Sequence, residues 1–163
     1  MKKIISISVA ILLFTLLPLS VFASSNQTTA LTEQKYITYL DDGSYYVTTI
    51  TTNSAALTTA AATSDSSVSA DKTKEYYNSS GTMLWKVVLK GKFTYNGTSS
   101  TCTSASYSVT IYDNAWYKYS GNAYTSGNKA LADVVMKQKF LGVVVATKNV
   151  NLTLACDKNG NLS

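Results

Sequence analysis

The residue types that most often do chemistry are thin in this 163-residue chain, which contains neither histidine nor arginine. Without histidine there is no Ser-His-Asp or Cys-His catalysis, and the commonest transition-metal ligand is missing. Of the nine carboxylates, Glu75, Asp113 and Asp133 fall in the patterned part of the chain. A carboxylate-dependent hydrolase would need two of them facing each other across a substrate. Their spacing does not bring them together: Asp113-Asn114 reads as a turn and Asp133 as a solvent-facing strand residue. Asp41-Asp42-Gly43 lacks the alternating acids and closing glutamate of a calcium loop and reads as a hairpin turn. No phosphate-cradling glycine loop or paired zinc-ligand spacing occurs, so neither a metal nor a cofactor is expected.

Two other groups carry the remaining possibilities. Cys102 and Cys156 lack a CxxC spacing and are expected to form a disulfide, closing a loop of about 55 residues worth roughly 4 kcal/mol. Aromatic residues are abundant, with 12 Tyr and two Trp. Tyr112, Trp116, Tyr117, Tyr119 and Tyr124 cluster in sequence and form the candidate binding site. Exposed Tyr and Trp offer rigid contact area with a hydrogen-bonding tip, suited to an extracellular protein or glycan. The competing reading is that alternate aromatics fill the core; adjacent Trp116 and Tyr117 would point to opposite faces of a strand.

The elements that must hold these residues are strands. Trp85, Val87, Leu89 and Phe93 share one parity while Lys86, Lys90 and Lys92 take the other, the period-2 pattern of a half-buried strand. Gly91 interrupts that apolar row and marks a bulge or a close backbone approach. Ala105, Tyr107, Val109 and Ile111 repeat the pattern, with Cys102 on the opposite parity, which requires a loop or bulge near Thr103-Ser104. Ala130 to Phe140 and Val150 to Cys156 supply two further alternating runs, joined through a turn at Leu141-Gly142. The fold class is therefore all-β: an antiparallel β-sandwich, immunoglobulin-like, with a small closed barrel as the alternative.

Three segments divide the chain. Residues 1–23 have the charged start, apolar run and small-residue site of a secretory signal peptide cleaved near Ala23, and the run from Ile4 to Leu17 is too short to span a membrane. Residues 24–72 combine a β-hairpin around Asp42-Gly43 with a Ser/Thr/Ala-rich linker from Asn53 onward, and the hairpin is expected to dock on the main sheet. Residues 73–163 form the sandwich domain. Removing the leader lowers the formal charge from +5 to +3. That mild excess, carried by lysine alone, argues against nucleic acid, because arginine's bidentate fork is missing.

Several segments together, among them Tyr76-Tyr-Asn-Ser-Ser-Gly81, Leu84-Trp85, Gly91-Lys-Phe-Thr-Tyr-Asn-Gly97, Cys102-Thr-Ser-Ala105 and Phe140-Leu-Gly142, resemble a group of small secreted proteins of Gram-positive bacteria with no assigned function. The resemblance implies a bacterial, extracellular setting and supplies no active site. The sequence thus points to a secreted, non-enzymatic binding module for a surface, glycan or protein. The alternatives are a carboxylate-dependent hydrolase and a cationic toxin or bacteriocin. Oligomeric state is left open.

Overall fold

The computed structural model describes residues 30–54 and 66–163. The predicted leader and the middle of the predicted linker lie outside the described residues. The described residues form eight strands: β1 (Ala30–Tyr39), β2 (Tyr45–Ser54), β3 (Ser66–Tyr77), β4 (Met83–Tyr95), β5 (Ser100–Ile111), β6 (Trp116–Ser126), β7 (Lys129–Phe140) and β8 (Val143–Ala155). The first five make one antiparallel sheet in chain order and the last three make a second. The two sheets face each other as a sandwich and do not close into a barrel. Within each sheet every strand pairs with its chain neighbours, and the chain passes from the first sheet to the second between β5 and β6, so the connectivity is two successive meanders without the Greek-key crossing of immunoglobulin domains.

Turn chemistry explains why the chain reverses where it does. Gly43 and Gly81 take positive φ at their hairpins, a conformation that costs glycine little. Asx turns add local hydrogen bonds: the Asp42 Oδ1 accepts the Ser44 N–H at 3.0 Å, and the Asn78 Oδ1 accepts those of Ser80 and Thr82. The Asp42-Gly43 hairpin docks as expected, since β2 pairs with β3 along Tyr45–Asn53. The boundary at residue 72 does not hold, because β3 already begins at Ser66. Val68 and Ala70 are buried in the core, and that burial orders a stretch whose composition alone would not.

Alternation places the core between the sheets. Trp85, Val87, Leu89 and Phe93 of β4 meet Ala130, Ala132, Val134 and Met136 of β7 and Val150, Leu152 and Leu154 of β8. Each fully buried large side chain contributes roughly 1.5–3 kcal/mol. Gly91 is required by close packing: an added Cβ would lie 2.7 Å from the Phe93 ring and 3.1 Å from the Ala130 Cβ. The bulge near Thr103 is present, since Lys92 pairs with Ser104 but Phe93 with Cys102. That one extra residue turns Cys102 inward.

The aromatic end of the core holds Tyr46, Tyr76, Trp85 and Trp116, with Tyr76–Trp85 centroids 5.1 Å apart and Tyr76–Trp116 edge-on at 5.4 Å. Neither indole N–H finds a hydrogen-bond acceptor among the described residues, so the aromatic contacts must offset two desolvated donors. Burial pushes the Tyr46 hydroxyl up to about 12.

Candidate functional site

β6 carries most of the predicted aromatic cluster and sorts it by face. Lys118 pairs with the buried Met136, so Lys118 looks inward and Tyr117, paired with Lys137, looks outward. The register then shifts between Lys118 and Ser120, leaving Tyr119 as an extra residue. This bulge keeps Tyr119 exposed on the same side as Tyr117. Lysines of β7 cap both rings: the Lys137 Nζ lies 3.4 Å from the Tyr119 centroid and the Lys139 Nζ 4.6 Å from that of Tyr117. Such cation–π pairs are worth about 0.5–1 kcal/mol at exposed sites. Farther along β6, the Tyr124 hydroxyl donates to the Asp133 Oδ2 at 3.1 Å, and that acceptor raises the phenol's pKa.

Two members of the cluster lie elsewhere. Trp116 is 4% exposed and belongs to the core, edge-on to Tyr76. Tyr112, exposed in the β5–β6 connection, has its N–H held by the Leu84 carbonyl and sits near the Tyr77 hydroxyl. It borders a second aromatic row that sequence reasoning missed. Tyr39, Tyr45 and Tyr77 stand in register across β1, β2 and β3, with centroids 5.5 Å and 4.9 Å apart. Tyr45 and Tyr77 are stacked within 1° of parallel, so their π-faces satisfy each other and the row presents edges and hydroxyls. The usable signal was the Asp42-Gly43 turn, which fixes Tyr39 opposite Tyr45.

The three carboxylates are not brought together. Glu75 lies on the outer face of β3 beside the Tyr77 hydroxyl, and Asp133 on the outer face of β7. Two sheets about 10 Å apart therefore separate them. Asp113 accepts the Ala115 N–H at 2.8 Å and closes the β5–β6 turn. Among the described residues, no cluster of three or more metal-ligating side chains occurs. A hollow of about 330 Å³ beside β5, lined by Tyr107, Ser108, Val109, Ile111 and Lys118, contains one cation and no carboxylate.

The expected disulfide is absent: Cys102 and Cys156 are both buried and unbonded. Each thiol donates instead to a nearby carbonyl, Cys102 to Ser104 and Cys156 to Asp157, both at 3.4 Å. Burial pushes both thiols up, which holds them protonated and unreactive. They pack as small hydrophobes at the end of the sandwich opposite the tryptophans.

Past Lys139, the β7–β8 hairpin loses its packing. Phe140, Leu141, Val143, Val144 and Val145 are 66, 88, 65, 43 and 56% exposed. Consecutive strand residues point to opposite faces, so exposure at three successive valines means that neither face is covered. Leu141, at the summit, takes φ 50° beside Gly142, a conformation that costs a branched side chain roughly 1–2 kcal/mol.

Comparison with family models, curated proteins and solved structures gives no match for this chain.

Proposed function

We propose that the chain is an exported, non-enzymatic β-sandwich that attaches to an acidic extracellular surface through the outer face of β6 and β7. The observation that carries this reading is the pairing of the half-buried Tyr117 and the exposed Tyr119 with Lys139 and Lys137. Tyrosine supplies amphipathic contact area, and each ring holds a lysine beside it without cancelling its charge. No carboxylate partner within salt-bridge distance offsets either cation among the described residues. The apolar leader and the resemblance to secreted Gram-positive proteins support the exported setting.

The reading is tested by replacing Tyr117 and Tyr119 together with alanine and measuring retention on intact bacterial cells and purified cell walls at low and high salt. We expect retention to fall about tenfold, from the loss of two anchors worth roughly 0.5–1 kcal/mol each, and wild-type retention to weaken with salt. Undiminished retention of the double variant would reject this face as the site.

A further inference from the structure

We infer that the surface recognised is an anionic lipid bilayer and that the β7–β8 turn is the part that enters it; this rests on the attachment reading above. The turn presents Phe140-Leu141-Gly142-Val143-Val144-Val145, with each of its five apolar side chains exposed. Elsewhere in the same hairpin Val134, Met136 and Val150 are fully buried, so the chain packs apolar residues wherever the second sheet is there to receive them. A contiguous exposed apolar patch in a folded domain marks an interaction surface.

Its surroundings specify the partner. Lys139 precedes the turn directly and Lys137 lies one outward position farther back, and neither has a carboxylate partner among the described residues. Tyr117 and Tyr119 stand beside them. An apolar tip followed by one band of paired tyrosines and lysines matches the passage from acyl chains to the headgroup layer, where amphipathic rings and cationic side chains are both accommodated. Acidic groups at this end are engaged elsewhere: Asp113 accepts the Ala115 N–H, and Asp42 accepts from Ser44 and lies 3.9 Å from Lys148. Asp41 belongs to the β1–β2 turn of the other sheet. The five apolar residues of one turn are far too few to cross a bilayer, so the protein would lie on the surface with only this turn immersed. A wall glycan offers no apolar phase for Leu141 or the valines, which is why lipid is favoured over polysaccharide.

The test is co-sedimentation of the purified protein, expressed from the full chain, with vesicles of phosphatidylcholine containing about a third phosphatidylglycerol. Phosphatidylcholine vesicles and intact cells serve as parallel arms. We expect wild type to bind the anionic vesicles. Leu141→Asp and Val144→Asp should each lose about tenfold or more, and Lys137→Gln with Lys139→Gln about fivefold per lysine. These positions are exposed, so unchanged circular dichroism spectra are expected to accompany the losses. Tip variants that bind vesicles as wild type does would overturn the inference. So would a tip-dependent dimer in sedimentation velocity without vesicle binding. Binding to cells without binding to vesicles would reject the bilayer while leaving the attachment reading intact; binding to neither would reject both.

Discussion

The two halves of the β7–β8 hairpin are made of similar residues and meet opposite fates. In the lower half, Ala130, Ala132, Val134 and Met136 of β7 pair with Leu154, Leu152, Val150 and Lys148 of β8. All but Lys148 of these are buried against the first sheet. In the upper half, Lys139 pairs with Val144 and Phe140 with Val143, and the apolar side chains there are exposed. The difference is not hydrophobicity but what faces it. β4 supplies Trp85, Val87 and Leu89 opposite the lower half, whereas β6 stops pairing at Gln138 and leaves the upper half without a neighbour on that side. Apolar residues that alternate with polar ones mark a core; an unbroken apolar run past the end of its neighbours marks a surface put to other use.

The comparison is broken most severely by moving a truncation from one half to the other. Leu154→Ala in the buried half should cost about 2–5 kcal/mol through lost burial and the cavity left behind. Val144→Ala in the exposed half should change stability by no more than about 0.5 kcal/mol. Urea denaturation of both variants measures the contrast. Equal losses would mean that the upper half is packed after all, and the surface assignment would fall with it.

How much of this was legible in the sequence follows the same division. Wherever alternation was backed by a facing sheet, side-chain parity was readable: Trp85, Val87, Leu89, Val134 and Leu152 all point inward. The bulge at Thr103 was readable because Cys102 broke parity. The strand order was not, since period-2 patterning specifies faces but not which strands are neighbours. The start of β3 at Ser66 was hidden because Ser-Ser-Val-Ser-Ala has a linker's composition and is ordered by tertiary contacts, the pairing with β2 and β4 and the burial of Val68 and Ala70. For the candidate site, adjacency predicted that Trp116 and Tyr117 would part company. It did not show which would be inside, because that depends on Tyr76 and Trp85 arriving from the other sheet. The cysteines share a neighbourhood without a bond, and sequence spacing has no means of telling a shared neighbourhood from a bond.

A smaller effect sharpens the packed side of the comparison. Gly91→Ala places a methyl against the Phe93 ring and the Ala130 Cβ, and Phe93 is itself fully buried and unable to swing away. The overpacking should cost about 1–3 kcal/mol, read as a lower midpoint in urea. A neutral outcome would show slack between β4 and β7 that the close contacts exclude.

The smallest effect lies at the summit of the exposed half, and its sign is the informative part. Leu141 holds φ 50° with its side chain almost wholly in water, so folding stability receives a backbone penalty there and no burial to offset it. Leu141→Gly removes that penalty of about 1–2 kcal/mol and gives the unfolded chain extra freedom that costs about 0.5–1 kcal/mol, so stability should rise by about 0.5–1 kcal/mol at most. In thermal melts the variant should match or exceed wild type while its attachment to anionic vesicles weakens. A residue that folding alone would replace with glycine, retained at the most exposed point of an apolar turn, is what the proposed contact with a bilayer would require. Were Leu141→Gly instead to destabilise the fold, the leucine would have an internal role, and its exposure would no longer argue for a partner.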